Sequence, residues 1–184
     1  MTQRVVPDTD RCIDCGGCEV ACKVEWDLGH TEERIEVVTH NEGSDGTRYS
    51  GGESHTPMQC YNCAEAPCID VCPTDALHRD EHDLVQVDKD LCIGCSYCSW
   101  ACPFGAPQYP SEEETAGGAG IMDKCTTCVD RLEEGKDPAC VETCPTDALV
   151  FGTPSEISDE MRRRGSDTMF TESEQAIVFG AGSD

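Results

Sequence analysis

The sequence predicts an α+β fold, in which two small cysteine-rich modules are built from short helices, β-hairpins and long loops. Three observations predict it. Sixteen cysteines among 184 residues fall into four quartets, at 12/15/18/22, 60/63/68/72, 92/95/98/102 and 125/128/140/144, and none is left over. Apolar material is thin: hydrophobic residues are 38% of the chain with cysteine counted and about 29% without it, and ten residues are aromatic. Lastly, Cys72-Pro73-Thr74-Asp75-Ala76-Leu77 recurs letter for letter as Cys144-Pro145-Thr146-Asp147-Ala148-Leu149, with Cys102-Pro103-Phe104-Gly105-Ala106 as a variant. Such a repeat implies duplicated modules.

Taken in order, Arg4-Val5-Val6 is a short β-prone run, and Ile35 to Val38 is a second possible strand. His40 to Pro57 is rich in Gly, Ser, Asp and Glu and reads as a surface loop or insertion. Residues 60–102 form a compact unit of 43 residues with two quartets. Between them, 76–79 and 84–87 flank Asp80-Glu81-His82-Asp83, a predicted β-hairpin. Pro110 to Gly120 is an acidic, Gly-rich loop, and the last quartet follows. Beyond Pro154 the chain is polar, with a short helix expected near Glu156 to Arg164 and a strand at Gln175 to Phe179. The expected modules are 1–57 plus 111–153, and 58–110, with 154–184 as a polar C-terminal extension.

The first and third quartets read C-x-x-C-x-x-C-x-x-x-C, the spacing with which bacterial-type ferredoxins hold cubane iron–sulfur clusters. Four quartets make room for four [4Fe–4S] clusters. Three cysteines two residues apart force a tight loop whose thiolates converge, and Gly16, Gly17 and Gly94 let the backbone pass close by. The fourth cysteine lies about one helical turn on. In two-cluster ferredoxins that residue ligates the other cluster and staples the two sites together. Pro73, Pro103 and Pro145 then stop the turn, whereas Lys23 stands after Cys22. The second and fourth quartets are looser, C-x-x-C-x4-C-x-x-x-C and C-x-x-C-x11-C-x-x-x-C, and the fourth taken alone could hold structural zinc. Its company and the shared C-P-T-D-A-L ending argue for iron. A disulfide scaffold is disfavoured because eight bridges would not require quartets of two- and three-residue spacing.

The formal charge is −24, from 37 acidic residues against 13 Lys and Arg. Four oxidised clusters, each netting about −2 with its thiolates, would make it more negative still. That excludes nucleic acid as a partner, since phosphate contacts need clustered Lys and Arg. Dense acidity, as in Ser111-Glu112-Glu113-Glu114, keeps a surface solvated, and it favours adaptation to high salt. The N-terminus shows no apolar h-region or twin-arginine signal, and Arg162-Arg163-Arg164 lies at the wrong end for one. No stretch approaches the roughly 20 apolar residues of a membrane span, so membrane association is expected through partners. Nothing resembles a substrate pocket or proton-transfer machinery. His30, His40, His55, His78 and His82 are expected to face solvent, and Trp100, between Cys98 and Cys102, to pack against a cluster.

The chain resembles the four-cluster electron-transfer (beta) subunits of dimethyl-sulfoxide-reductase-type molybdopterin oxidoreductases. The resemblance rests on Cys12-Ile13-Asp14-Cys15-Gly16-Gly17-Cys18-Glu19-Val20-Ala21-Cys22-Lys23, on Gln59-Cys60-Tyr61-Asn62-Cys63 to Cys72-Pro73-Thr74, on Asp90-Leu91-Cys92-Ile93-Gly94-Cys95 with Cys102-Pro103-Phe104-Gly105-Ala106-Pro107, and on Asp123-Lys124-Cys125-Thr126-Thr127-Cys128 to Cys144-Pro145-Thr146. It covers roughly residues 3–153 and implies two ferredoxin-like [4Fe–4S] dicluster modules. It also implies ligand sets: Cys12, Cys15, Cys18 and Cys144 for one cluster, and Cys125, Cys128, Cys140 and Cys22 for its neighbour. The second module would hold one cluster on Cys60, Cys63, Cys68 and Cys102 and another on Cys92, Cys95, Cys98 and Cys72. The implied role is a wire with no catalytic site. It would join a molybdopterin-containing catalytic subunit, of the sulfoxide, thiosulfate or polysulfide reductase type, to a quinol-oxidising membrane subunit. A free ferredoxin, or a subunit of a formate dehydrogenase or hydrogenase, is the alternative. The implied location is peripheral to a membrane, on the cytoplasmic face or exported with a twin-arginine partner.

Overall fold

The computed structural model describes residues 3–46, 51–110 and 115–179. Three antiparallel strand pairs organise them. The β-prone N-terminal run forms β1 (Arg4–Pro7), and α1 (Gly17–Trp26) follows from the first quartet. Next come β2 (Ile35–His40), β3 (Ser54–Gln59) and α2 (Pro67–Asp70), then the predicted hairpin, β4 (Leu77–Arg79) and β5 (Val85–Val87). The rest comprises α3 (Tyr97–Ala101), α4 (Val129–Glu133), α5 (Ala139–Thr143), β6 (Leu149–Gly152) and α6 (Pro154–Phe179).

Pairing β1 with β6 closes the ends of the first module, with Val5 opposite Phe151 and Pro7 opposite Leu149. Helices α1 and α5 pack together beside that pair. The resulting core joins Val5, Cys18, Cys22, Ile35, Cys140 and Leu149. A second core gathers Ala66, Leu77, Val85, Cys98 and Met122, with Cys63, Cys68, Cys72 and Cys92 packed on it. Cysteine thus does part of the work that Leu and Ile do in an ordinary core.

Two expectations need correction. The segment His40 to Pro57 is not loop throughout, for Ser54–Gln59 is a strand paired with β2, Val37 opposite Pro57 and Ile35 opposite Gln59. Only Thr56 there is β-branched, so its strand character comes from pairing and from the inward side chains of Pro57 and Gln59. Residues 47–50 and 111–114 lie outside the described residues.

The expected strand at Gln175 to Phe179 belongs instead to α6, one helix of 26 residues. Its start is well specified. Thr153 Oγ1 accepts from Glu156 N–H (3.4 Å) while the Glu156 carboxylate accepts from Thr153 N–H (2.8 Å), a reciprocal cap, and Pro154 opens the helix. Once nucleated, a helix satisfies its own backbone, and pairs such as Glu160–Arg164 at 2.6 Å support it.

The helix is fastened to the first module by Arg164, whose Nη1 donates to Asp8 Oδ2 (3.0 Å) and to the Asp147 carbonyl (2.7 Å). Hydrogen bonds from Arg163 and Arg164 hold the Glu160 carboxyl down to about 2, well below its ordinary value. A group depressed on folding stabilises above its unfolded value and loses that contribution as pH falls through the folded one. The Glu160 contribution is therefore whole at neutral pH and fades between about 4.5 and 2. We expect Arg164→Ala to expose the 154–170 segment to limited proteolysis at neutral pH, and acidification to do the same in the native chain. Unchanged cleavage in the variant would contradict this anchoring.

Candidate metal centres

The quartets start from a shared local conformation. In each leading C-x-x-C, the residue before the second cysteine is left-handed: Asp14 (φ 54°), Asn62 (44°), Gly94 (66°) and Thr127 (59°). This turns the backbone around the thiols. Only one of the four is glycine, and at Gly94 glycine is required twice over. Its φ is positive, and a Cβ would collide with Thr115 Oγ1 and come within 2.5 Å of the Gly120 carbonyl. Asp and Asn tolerate the conformation. Thr127 is β-branched and does not do so readily, but its hydroxyl accepts from Asn62 Nδ2, while Asn62 Oδ1 accepts from Val85 N–H (2.8 Å). Asn62, fully buried, thereby ties the second quartet, the hairpin and the fourth quartet together.

Four separate cavities hold the thiols. One is lined by Cys12, Cys15, Cys18 and Cys144, and the next by Cys22, Cys125, Cys128 and Cys140. A third is lined by Cys60, Cys63, Cys68 and Cys102, and a fourth by Cys72, Cys92, Cys95 and Cys98. Each thus combines three cysteines of one quartet with the last of another. All sixteen line one of these cavities.

The donor set fits a cubane cluster. Four soft sulfur ligands converge in each cavity, and backbone N–H groups aim at several of them: Thr127 at Cys125 Sγ (3.3 Å), Ala148 at Cys144 Sγ (3.2 Å) and Met122 at Cys92 Sγ (3.5 Å). Burial, with neighbouring thiols adding to it, pushes Cys22 up to about 12. Burial also takes Cys18, Cys68 and Cys125 up to about 11. Thiols so placed ionise readily only with a cation among them. Cys72 and Cys144 differ. Burial acts upward on them, but N–H and hydroxyl groups of the repeated turn (Thr74, Ala76 and Leu77; Thr146, Ala148 and Leu149) outweigh it and hold both below the ordinary thiol value. The repeated C-P-T-D-A-L is thus a donor nest around a crossing cysteine.

Side chains that carry no cysteine-like signal in the sequence also face the cavities. Tyr109 OH lies 3.1 Å from Cys98 Sγ. Arg34 lines the cavity of Cys22, gripped by Asp123 at 2.6 and 3.0 Å and stacked over Trp26 with 4.8 Å to the ring centroid. Arg79 Nη2 braces the second loop by donating to the Cys63 carbonyl (2.7 Å).

Two expected placements are corrected. Trp100 does not pack against a cluster site but is 87% exposed. On a helix that turns Cys98 and Cys102 inward, the position midway between them faces away. His55 is half-buried, because the β2–β3 register sets it opposite Thr39, whose Oγ1 lies 3.0 Å from Nδ1. The other four histidines are exposed. Among the described residues no helix is long and apolar enough to cross a membrane.

The comparisons agree with the donor set. A 4Fe–4S dicluster domain profile matches residues 53–154, and a second profile of the same description matches 11–76. The formate dehydrogenase iron–sulfur subunit of Wolinella succinogenes is 41% identical over 182 residues, covering 88% of each chain. The chain belongs to the iron–sulfur subunits of molybdoenzyme oxidoreductases. Within that family, the thiosulfate reductase electron transfer subunit PhsB of Salmonella typhi is 43% identical over 148 residues, covering 79% of this chain and 72% of its own. The B subunit of the anaerobic dimethyl sulfoxide reductase of Escherichia coli is 41% identical over 166 residues, covering 87% and 76%. The thiosulfate and dimethyl sulfoxide reductase relatives are electron-transfer iron–sulfur subunits of reductase complexes, not the catalytic subunits. This chain's two 4Fe–4S dicluster domain matches, with its short helices and strand pairs, fit a ferredoxin-like, mixed α/β structure.

Proposed function

We propose that the chain carries four [4Fe–4S] clusters, one in each cavity, and relays electrons between a molybdopterin-containing catalytic subunit and a quinol-oxidising membrane subunit. The observation that carries this reading is the sorting of sixteen cysteines into four cavities of four. Its ligand sets are Cys12, Cys15, Cys18 and Cys144; Cys125, Cys128, Cys140 and Cys22; Cys60, Cys63, Cys68 and Cys102; and Cys92, Cys95, Cys98 and Cys72. Bound there, the clusters supply one-electron redox chemistry.

The protein's own residues hold the clusters, donate hydrogen bonds to their sulfurs and exclude water. We retain modules of 1–57 plus 111–153 and 58–110, the first core lying within the former and the second within the latter except for Met122, although β3 runs on to Gln59 and the Gln108–Asp123 bridge joins the two. The extension at 154–184 rides on the first. The relay order we favour starts at the Cys12 cavity and passes through those of Cys125 and Cys60 to that of Cys92. Its first two steps are supported by the proximity of Cys18 to Cys140 and of Cys60 to Cys125, near enough that one thiolate would raise the other, which marks neighbouring cavities.

A reductase of the sulfoxide or thiosulfate type fits two of the relatives, and the likeness to a formate dehydrogenase subunit keeps that complex as the second reading. In either, the chain would lie at the membrane surface, on the cytoplasmic face or exported with a twin-arginine partner. A reductive titration of the anaerobic protein should take up about four electrons per chain while the visible absorption bleaches. Uptake of two or fewer would contradict the reading. We further propose adaptation to high salt, supported by the charge of −24. Stability should fall steeply on dialysis from molar to about 0.1 M salt. A slight fall would contradict it.

A further inference from the structure

Of the chain's four lysines, one is buried: Lys124 is 2% exposed. Its ammonium donates to two carbonyls, those of Val85 and of Cys125, the latter at 3.0 Å. Val85 lines the cavity of Cys60, Cys63, Cys68 and Cys102, and Cys125 lines that of Cys22, Cys128 and Cys140. The charge therefore sits in the wall shared by two cavities that belong to different modules.

Among the described residues the other two buried cations, both arginines, are matched by carboxylates. Arg34 pairs with Asp123 at 2.6 Å, and Arg164 with Asp8 at 3.0 Å and Glu160 at 2.6 Å. Among the described residues Lys124 has no such partner, and the carboxylate next to it in sequence is held by Arg34 and by Lys89. Carbonyl dipoles satisfy the N–H donors but supply no counter-charge, and a buried ammonium without one is costly. The groups beside Lys124 that become negative when metal is bound are the thiols of the two cavities. Its charge favours the thiolate forms of both Cys68 and Cys125, against burial and neighbouring thiols.

We propose that Lys124 is the shared counter-charge of the two central clusters and raises the reduction potential of both, easing electron passage between the modules. The inference rests on the four-cluster reading. Its physical basis is that reduction adds one negative charge to a site already net negative, and a fixed buried cation stabilises that charge far more than a solvated one would. The two outer clusters, in the cavities of Cys12 and Cys92, do not share this wall.

The test is an EPR-monitored redox titration of the anaerobic holo-protein with Lys124→Gln, which keeps an N–H donor but removes the charge. Two of the four midpoints should fall, so that at the native midpoint the oxidised-to-reduced ratio of each rises about three- to tenfold, tenfold being 59 mV for one electron. The two that move should be those altered by Cys60→Ser and by Cys125→Ser. Lys124→Arg should keep native potentials, and Lys124→Met gives a second neutral variant should the glutamine form assemble poorly. Four unmoved midpoints, or four moved alike, in a chain that titrates as four clusters would overturn the role of Lys124 and leave the four-cluster reading standing. A native chain without reducible clusters would overturn both.

Discussion

Removal of iron and sulfide should unfold this chain. Its two cores are small and share cysteines with the cavities: Cys18, Cys22 and Cys140 in the first, Cys98 in the second. Helices α2, α3, α4 and α5 have only four or five residues, far short of the roughly 12 to 15 at which a helix is marginal alone in water. The three sheets have two strands each, and isolated pairs are marginal as well. Cluster ligation supplies free energy that the folded state alone collects, as in small zinc domains that are unfolded without metal. Without clusters, thiols such as Cys22, raised by burial to about 12, are neutral at pH 7 and merely fill space. The expected result is loss of amide dispersion by NMR and of hydrogen-exchange protection in β4, β5 and α1 after chelation. A well-dispersed spectrum of the iron-free chain would contradict it.

Changing Cys102 to Ser should damage the cluster of the second quartet, not that of the third quartet in which Cys102 stands. The reason lies in one turn of helix. Cys98 is buried on α3 and lines the cavity of Cys72, Cys92 and Cys95, whereas Cys102, at the extended C-cap four residues later, lines the cavity of Cys60, Cys63 and Cys68. Pro103 follows and the helix cannot continue. A serine hydroxyl is a poor ligand for iron at neutral pH, so loss or conversion of one cluster is expected while its neighbour keeps its EPR signal. Selective loss of the signal that depends on Cys92 would overturn the pairing.

The cysteine quartets, the repeat and the hairpin were legible because local rules write them: fixed spacing for the ligands, alternating Val and Gln around an Asp-rich turn for the hairpin. Strand β3 was not legible, since Ser54-His55-Thr56-Pro57-Met58-Gln59 has little β propensity and is ordered by its partner strand. The left-handed residues were half legible. Asp14, Asn62 and Gly94 are turn formers by type, but Thr127 holds its conformation through a tertiary bond to Asn62, 65 residues away. Lys124, Arg34 and Tyr109 carried no local signal, because their meaning lies in which cavity wall they reach. Trp100 misled for the opposite reason: closeness to cysteines in sequence did not place it on their side of the helix.

Iron and sulfide analysis of the anaerobically purified chain decides whether the four cavities hold four cubanes. About sixteen iron and sixteen acid-labile sulfide atoms per chain are expected. Zinc in place of iron, or iron and sulfide near eight of each, would contradict it.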